Sequence, residues 1–164
     1  ELIARKTDFL GVNYYSRGVI RNEEISEDEN LPRNVKMGPK TDFGWEVYPP
    51  GIYDLLIQLK KDYGVGTIFI TENGCSYSDG PDKENKINDQ KRIDYHRTHL
   101  IEIQKAINDG VDCKGYFAWS LMDNFEWAQG FSQRFGLIWV DFETLDRIPK
   151  ESYHWYKNYI LNNQ

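Results

Sequence analysis

The stretch Thr67-Ile68-Phe69-Ile70-Thr71-Glu72-Asn73-Gly74 decides the fold of this chain. Its β-branched and aromatic residues are typical of a strand that is buried on both faces. The strand ends abruptly in a carboxylate, Glu72, and the turn pair Asn-Gly follows. Parallel α/β folds place their catalytic groups at the carboxyl ends of such strands. A solvated glutamate that merely ends a strand is the alternative, and for an isolated carboxylate it is the more common one.

The rest of the chain repeats the unit of one strand followed by one helix. Hydrophobic periodicity and turn residues predict, in chain order, a strand from Phe9 to Tyr15, a helix from Pro50 to Gly64, the strand 67–71, a helix from Asp89 to Asn108, a strand 115–120 and a helix 152–161. A long surface loop is predicted at 22–40 and a hairpin around 142–147. Right-handed crossovers then give parallel strands that form an arc with both sheet edges open.

The helices have clear ends and apolar faces. Gly64 and Gly110 are predicted to end the first two helices, and Asp89 to cap the second. The predicted inward positions are Ile52, Leu55, Leu56, Leu59 and Tyr63 in the first helix, and Ile93, Leu100, Ile103 and Ile107 in the second. The strand residues expected to face a barrel interior are Val12, Ile68, Ile70 and Phe117. Long loops follow the strands rather than the helices, which predicts that they lie on the catalytic face of a barrel-like fold.

Composition restricts the classes of partner. The chain has 164 residues, enough for one domain, and includes 5 Trp and 11 Tyr, whose flat faces and polar edges suit sugars, bases or peptides. The net charge of -6 argues against nucleic acid, which needs a basic face. A neutral polyol is the better candidate. No apolar run approaches membrane length, so no membrane partner is expected.

Other reactive residues give weaker signals. The spacing of Cys75 and Cys113 matches neither a metal site nor a disulfide framework, so a reducing, cytoplasmic compartment and an inert thiol at Cys75 are expected. His96 and His99 lie on a helix face that we expect to point outward and to be solvated rather than to bind a metal. No metal or cofactor is expected. The chain opens with Glu1 rather than Met, so we expect its true N-terminus to lie upstream.

Several motifs occur together in an order typical of one known family. They are Asp8-Phe9-Leu10-Gly11-Val12-Asn13-Tyr14-Tyr15, Ile70-Thr71-Glu72-Asn73-Gly74, Trp119-Ser120-Leu121-Met122-Asp123-Asn124-Phe125-Glu126-Trp127, Gly130-Phe131-Ser132-Gln133-Arg134-Phe135-Gly136-Leu137 and the closing segment 152–160. In these motifs the chain resembles the C-terminal part of glycoside hydrolase family 1, the retaining β-glucosidases. The resemblance spans nearly the whole chain, and independent motifs at matching spacing are far more specific than any one of them.

The resemblance implies the fold class and the domain organisation. The family fold is an α/β fold, the eight-stranded TIM (β/α)8 barrel. The three predicted strands would be its sixth, seventh and eighth, so residues 1–164 would form the C-terminal part of a single barrel catalytic domain. An N-terminal part that supplies the first five strands would be the protein partner of this chain.

The resemblance also implies catalytic roles. Glu72 would be the nucleophile, which attacks the anomeric carbon and forms a covalent glycosyl-enzyme. A nucleophile must be ionised and fixed below the sugar ring, and a strand end provides that rigidity. Tyr15 would donate a hydrogen bond to this carboxylate and hold its orientation. Taken alone, Asn13-Tyr14-Tyr15 is more typical of an ordinary aromatic strand.

The same resemblance implies the substrate contacts. Glu126 lies between two aromatic residues and would accept hydrogen bonds from two sugar hydroxyls, since a buried carboxylate without partners is costly. Trp127 would donate its indole N–H, and Trp119 would form the apolar floor under the sugar ring. The implied substrate-binding set is Asn13, Trp45, Trp119, Glu126, Trp127 and Phe135, with Phe135 near the hydroxymethyl group and Trp45 in the aglycone site. For Phe135 and Trp45, packing in the core is an equally good interpretation.

Glu126 also bears on the choice of sugar. By the resemblance, family members that act on phosphorylated sugars differ at this position, and a carboxylate would repel a phosphate. The expected ligand is therefore an unphosphorylated β-glucoside or a short β-linked oligosaccharide, as in cellulose degradation.

One requirement of the family is not met within this sequence. Retaining hydrolysis needs a second carboxyl about 5–5.5 Å from the nucleophile, and the family carries it in an Asn-Glu-Pro motif that is absent here. We therefore expect retaining β-glucosidase activity only when the N-terminal part is present. Two other classes stay open, a non-catalytic carbohydrate-binding module and a structural half-barrel that associates through its open edges. A binding module would not need an oriented nucleophile, which favours the enzyme.

Overall fold

The computed structural model describes residues 5–20 and 36–163. The elements in these residues are strand β1 (Leu10–Asn13), helix α1 (Pro50–Tyr63), strand β2 (Ile68–Asn73), helix α2 (Gln90–Asn108), strand β3 (Cys113–Ala118), a 3-10 helix (Trp127–Gln129), strands β4 (Ile138–Val140) and β5 (Arg147–Pro149), and helix α3 (Glu151–Asn162). The predicted alternation of strand and helix is confirmed. Most of the predicted loop at 22–40 lies outside the described residues.

The strands form two sheets. β1, β2 and β3 make a parallel sheet in that order, and β4 pairs with β5 in the predicted antiparallel hairpin. Among the described residues, the outer edges of β1 and β3 have no strand partner, which makes the parallel sheet an arc. The register shifts near the ends of β1 and β2, where Glu72 pairs with Asn13. Such irregularities re-aim side chains next to functional sites.

The parallel sheet has a covered face and an open face. Val12, Ile68 and Ile70 define the covered face, where they are at most 6% exposed and pack against α1 and α2. The prediction that these three residues face a barrel interior is therefore wrong, because they point toward the helices. The open face carries Phe9, Phe69, Thr71 and Phe117. Phe117 is 57% exposed, so β2 and β3 are not buried on both faces within the described residues.

The helix ends follow from local chemistry. Pro50 begins α1, where its missing N–H costs nothing, and Gly64 ends α1 with a φ of 61° that glycine adopts without strain. Asp89 stands at the cap of α2 as predicted, but its side chain makes no capping bond and binds Ser152 instead. The inward positions are confirmed except for Tyr63 and Ile107, which are exposed at the last turns of their helices.

Helix α2 buries polar side chains as well as apolar ones. His96 and His99 are both fully buried, so the prediction of a solvated histidine pair is wrong. Their spacing continues the apolar stripe of α2, in which Ile103 and Ala106 are also buried. The Nδ1 atom of each ring has a hydrogen-bond partner: the Tyr116 hydroxyl on β3 for His96, and the Tyr95 carbonyl within the helix for His99.

Among residues 5–20 and 36–163, no helix is both long and apolar enough to cross a bilayer.

Candidate active site

Glu72 and Tyr15 meet where β1 and β2 end. The Tyr15 hydroxyl donates a hydrogen bond of 2.6 Å to Glu72 Oε2. The backbone prepares this contact, because the Tyr14 N–H donates to the Glu72 carbonyl at 3.0 Å. Burial and the bond to Glu72 raise the pKa of Tyr15 well above its ordinary value, so the hydroxyl stays protonated and remains a donor. The Glu72 carboxylate is thereby held in one orientation.

The end of β3 brings Trp119 to the same place. The Trp119 N–H donates to the Asn73 carbonyl at 2.8 Å, which extends the pairing of β2 with β3. The two strand ends approach so closely that a Cβ on residue 74 would overlap the Trp119 carbonyl oxygen, so Gly74 is required there. The Trp119–Ser120 peptide is cis.

Glu126 is joined to this group by a side-chain bond. The Trp119 indole N–H donates to Glu126 Oε1 at 3.0 Å. The charge of Glu126 also contributes to the raised pKa of Tyr15, after burial and the effect of Glu72. The structure therefore brings Glu72, Tyr15, Trp119 and Glu126 together. Trp127 follows directly in the 3-10 helix and is 86% exposed.

Two of the predicted substrate contacts pack with each other. Trp45 lies 5.1 Å from the Tyr15 ring and 6.1 Å from the Phe135 ring between centroids, and Phe43 completes the cluster. Phe135 is 1% exposed, so in this structure it has almost no surface to offer a sugar. The core-packing interpretation of Phe135 is the one this arrangement supports, because a hydroxymethyl contact would require an uncovered ring. Trp45 keeps part of its surface exposed beside Tyr15.

Asn13 lies at the end of β1 beside the nucleophile candidate. Its side chain is exposed, and its Oδ1 accepts a hydrogen bond of 2.7 Å from Thr71 Oγ1 on the open face. Asn13 and Thr71 thus lie next to Glu72 on the open face of the sheet. The roles of all these residues in binding or catalysis stay predictions.

Sequence reasoning missed the buried charged side chains that hold the segment between β3 and β4, residues 119–137, in place. Asp123 accepts from Arg134 at 2.7 Å, from Lys150 Nζ at 3.2 Å and from the Gly136 N–H at 2.9 Å. Lys150 is fully buried, and burial lowers its pKa to about 8. Asp123 and Arg134 both stand in the quoted motifs, so the signal was present, but spacing alone could not reveal that they pair.

Arg92 is a second missed anchor, on the covered side of the sheet. Its side chain is fully buried and pairs with Asp89 at 2.9 Å. The other guanidinium N–H groups donate to the backbone carbonyls of Cys75, Tyr77, Arg134 and Phe135. One side chain thus ties the loop after Glu72 to the loop that precedes β4. The only sequence signal is its place in the apolar stripe of α2.

The remaining reactive groups do not form a second site. Cys75 is fully buried and its pKa is raised to about 12, mainly by burial, which confirms the prediction of an inert thiol. Within the part of the chain that the structure describes, no group of three or more His, Cys, Asp or Glu side chains is arranged to hold a metal ion.

This arrangement is suited to chemistry on a polyol. A carboxylate held by a tyrosine hydroxyl at a rigid strand end can act as a nucleophile. A second carboxylate, hydrogen-bonded to an indole N–H, can accept hydrogen bonds from sugar hydroxyls. The open aromatic surface beside it can stack on the sugar ring.

Comparisons with known proteins show the family of this chain. The family model described as glycosyl hydrolase family 1 matches residues 1–164. The 1,4-beta-D-glucan glucohydrolase of Thermotoga neapolitana is 46% identical over 99% of this chain and 36% of its own length. Beta-glucosidase A of Thermotoga maritima is 44% identical over 98% of this chain and 36% of its own length. The 6-phospho-beta-galactosidase of Staphylococcus haemolyticus is also 44% identical, over 92% of this chain and 36% of its own length.

The fold is shared with solved structures. The beta-glucosidase from Thermotoga maritima in complex with glucoimidazole has a TM-score of 0.87 and 44% identity, and the match covers 96% of this chain and 35% of that one. The same enzyme in complex with deoxynojirimycin gives a TM-score of 0.88 over the same shares. The chain thus spans about 36% of the length of these curated relatives, and it matches part of the TIM-barrel fold of the solved structures. With a family match over its whole length and relatives 44–46% identical, the chain belongs to glycosyl hydrolase family 1.

Proposed function

We propose that this chain is the nucleophile-bearing part of a retaining β-glucosidase. Glu72 attacks the anomeric carbon of a β-glucoside, the bond to the leaving oxygen breaks, and a covalent glycosyl-enzyme forms. Water then hydrolyses this intermediate and releases the sugar with net retention. Tyr15 orients the carboxylate, Trp119 lies under the sugar ring, and Asn13, Glu126 and Trp127 bind its hydroxyls.

The observation that carries the proposal is the 2.6 Å hydrogen bond from Tyr15 to Glu72 at the ends of two parallel strands. This bond fixes the direction in which the carboxylate faces, which a nucleophile needs and a module that only binds sugar does not. The bond therefore favours the enzyme over the carbohydrate-binding module.

The proton donor of this reaction belongs to the rest of the barrel. A retaining mechanism needs a second carboxyl about 5–5.5 Å from the nucleophile, and Glu126 is engaged by the Trp119 indole at 3.0 Å. We infer that β1, β2 and β3 are the sixth, seventh and eighth barrel strands. An N-terminal part then supplies the first five strands and the acid/base. The open edge of β3 borders an apolar groove of about 550 Å³ that suits such a neighbour; it is lined in part by Phe117, Leu121 and Ile160.

The substrate is an unphosphorylated β-glucoside or a short β-linked oligosaccharide. Overall similarity does not decide this, because relatives named for glucosides and for 6-phospho-galactosides are equally identical to the chain, at 44%. The argument rests on Glu126, since its negative charge would repel a sugar phosphate.

The test uses an assembled enzyme, in which this chain replaces the segment that it matches in beta-glucosidase A of Thermotoga maritima. A fluorinated glycoside inactivator should label Glu72, as seen by mass spectrometry of the digested protein. Glu72→Gln keeps the shape but removes the charge, so turnover of an aryl β-glucoside should fall by about 10⁴-fold or more. The control is Glu84→Gln, which changes an exposed carboxylate paired with Lys86.

Other outcomes would contradict the proposal. A label on another residue would exclude Glu72 as the nucleophile. Sugar binding with no turnover by the assembled enzyme, under conditions in which the unaltered Thermotoga maritima enzyme is active, would favour the carbohydrate-binding alternative.

A further inference from the structure

A buried chain of hydrogen bonds runs from helix α2 to Tyr15. His96 Nδ1 lies 2.7 Å from the Tyr116 hydroxyl, and that hydroxyl lies 2.6 Å from Asn73 Oδ1. Asn73 Nδ2 lies 2.7 Å from the Tyr14 carbonyl and 3.1 Å from the Tyr95 hydroxyl, which in turn lies 3.0 Å from the Tyr15 carbonyl. His96 and Asn73 are fully buried and Tyr95 is 1% exposed, so water does not compete for these bonds.

The direction of every bond in this chain is forced. The Tyr14 and Tyr15 carbonyls can only accept, so Asn73 must present its amide nitrogen to Tyr14, and Tyr95 must donate its hydroxyl proton to Tyr15. The Tyr95 oxygen then accepts the second N–H of Asn73. The amide oxygen of Asn73 is left as an acceptor, so the Tyr116 hydroxyl must donate to it.

The last step fixes the tautomer of His96. The Tyr116 hydroxyl proton is already used, so its oxygen accepts a proton from His96 Nδ1. Nε2 is then the unprotonated nitrogen, and within the described residues it has no hydrogen-bond partner. Burial lowers the pKa of His96 to about 3, so the imidazole is neutral at neutral pH. The donor and acceptor roles in this series of hydrogen bonds therefore stay the same at that pH.

These hydrogen bonds form a closed ring that includes the proposed nucleophile. Asn73 follows Glu72 directly in β2, and through Tyr95 its amide reaches the backbone of Tyr15. The Tyr15 side chain then returns to Glu72. The end of β2 therefore fixes the position of the Tyr15 backbone through Asn73 and Tyr95. The position of the backbone in turn sets where the Tyr15 hydroxyl lies.

We propose that Asn73, Tyr95, Tyr116 and His96 are positioning residues, which fix the backbone of Tyr15 so that its hydroxyl meets Glu72 in one geometry. This inference rests on the proposed role of Glu72 as nucleophile. None of the four residues is proposed to touch the sugar. They act through Tyr15, so their effect on the reaction depends on the Tyr15 hydroxyl.

A double-mutant cycle in the assembled enzyme tests this dependence. Tyr95→Phe keeps the buried ring but removes the donor to the Tyr15 carbonyl. We expect kcat to fall by about 10-fold with less than about a twofold change in KM, because misplacement of a catalytic group lowers turnover more than binding. When Tyr15 is already Phe, Tyr95→Phe should cause almost no further loss. An equal loss in both backgrounds would overturn the proposal.

The matched control is Tyr14→Phe. Tyr14 is also a buried tyrosine whose hydroxyl donates to a backbone carbonyl, that of Tyr48 at 2.6 Å, and this hydroxyl takes no part in the hydrogen-bond chain, which uses only the Tyr14 carbonyl. A similar loss of stability with unchanged kcat is expected. If Tyr14→Phe lowered kcat as much as Tyr95→Phe, the effect would be a general one of buried hydroxyls and the proposal would fail. Tyr116→Phe provides a second variant, with a smaller loss that also disappears when Tyr15 is Phe.

The tautomer of His96 is a readout that does not depend on activity. Nitrogen NMR of the assembled enzyme with ¹⁵N-labelled histidine should show a proton on Nδ1 and none on Nε2 of His96. His96→Asn, which offers a side-chain N–H close to the position of Nδ1, identifies the resonance and should keep more activity than His96→Leu. A proton on Nε2 would contradict the forced direction of the chain, even if Glu72 proved to be the nucleophile. Failure of Glu72 to be labelled would instead count against the proposed function and the positioning role that rests on it, while the tautomer of His96 would still test the direction of the hydrogen bonds.

Discussion

The covered and the open face of the parallel sheet differ in where their partners come from. On the covered face, Val12, Ile68 and Ile70 are at most 6% exposed because α1 and α2 pack over them. On the open face, Phe9 is 52% and Phe117 is 57% exposed, although both are large apolar side chains. The same strands therefore have one face that this chain completes by itself and one that needs a neighbour.

The comparison separates stability from chemistry. The covered side carries the fully buried ion pair of Arg92 and Asp89. The open side carries the proposed nucleophile and the Trp119–Glu126 pair at the carboxyl ends of the strands. Apart from the positioning residues Asn73, Tyr95, Tyr116 and His96, substitutions on the covered side should lower stability first, and those on the open side should change activity first.

The largest effect is expected when the N-terminal part of the barrel is absent. The isolated chain should not hydrolyse an aryl β-glucoside, and it should aggregate, remain partly molten or pair with itself. At about 25 cal/mol per Å², a few hundred Å² of exposed apolar surface would cost most of a typical margin of about 5–15 kcal/mol, and two open sheet edges add to the problem. Light scattering, near-ultraviolet circular dichroism and an activity assay would measure this.

A mixing experiment sharpens the same prediction. The preceding part of beta-glucosidase A from Thermotoga maritima, added to the chain, should restore cooperative unfolding and activity. The same mixture made with the Glu72→Gln variant of the chain should restore cooperative unfolding but no activity. A monodisperse, folded monomer that hydrolyses the glucoside unaided would show that the open face needs no neighbour.

The next effect concerns the covered side, where two ion pairs of equal spacing can be compared on α2. Asp89–Arg92 has side chains that are 0% exposed, and Asp94–Arg97 has side chains that are 46% and 56% exposed. Arg92→Met should lower the free energy of unfolding of the assembled enzyme by about 3–5 kcal/mol, because it leaves a buried carboxylate and several carbonyls without donors. Arg97→Met should cost about 0–1 kcal/mol.

Urea unfolding of both variants measures the difference. Equal losses for Arg92→Met and Arg97→Met would mean that burial does not separate the two pairs. A loss of activity in Arg92→Met at temperatures where it is fully folded would mean that the covered side also takes part in the chemistry directly.

A smaller effect is expected from Glu126 on the open face. Glu126→Ser removes an acceptor for sugar hydroxyls and a negative charge that repels phosphate. The ratio of kcat/KM for an aryl glucoside to that for its 6-phospho form should fall on the order of 10-fold, with little change in stability. Glu143→Ser, which changes an exposed carboxylate in the β4–β5 turn, is the control. An unchanged ratio would remove Glu126 from the sugar site.

The last effect is a dependence of stability on pH, which comes from the covered side. Burial lowers the pKa of His96 to about 3 and that of His99 to about 4. Below about pH 6.5 the unfolded chain takes up protons that the folded chain does not. Stability should therefore fall as the pH is lowered from about 6.5 toward 4, by about 1 kcal/mol per histidine for each pH unit.

The histidine contribution can be isolated by substitution. His99→Asn removes the titrating ring while offering an N–H to the Tyr95 carbonyl. Urea midpoints between pH 7 and 4.5 should then change less steeply with pH than in the unaltered enzyme. His154→Asn, at an exposed position, is the control. The same pH slope in His99→Asn and the unaltered enzyme would contradict the prediction.

The elements of this fold were predictable because their signals are local. Pro50 and Gly64 bound α1, and Gly110 follows α2, since each acts through its own backbone conformation. The Tyr15–Glu72 bond was implied by the family resemblance, and the structure contains it. Local pattern could not tell which side of each strand the helices would cover, and this is why Val12, Ile68 and Ile70 were placed on the wrong face.

The buried polar groups were beyond sequence reasoning for a physical reason. Histidine is polar on hydropathy scales, which predict that His96 is exposed. Its burial is acceptable because its ring is hydrogen-bonded to the Tyr116 hydroxyl, which lies 20 residues away on a strand. Phe135 is similar, because the rings of Trp45 and Phe43 that enclose it come from a distant part of the chain. Non-local partners decide whether such side chains are buried, solvated or free for a ligand.

The sequence by itself determined the order of strands and helices, the carboxylate at the end of β2 and the family to which the chain belongs. Only the tertiary structure decided which face of the sheet is covered, which charges are buried and how Asn73 and Tyr95 reach Tyr15. Backbone propensities and motif order are properties of neighbouring residues, whereas burial and hydrogen-bond direction depend on groups that meet only when the chain has folded.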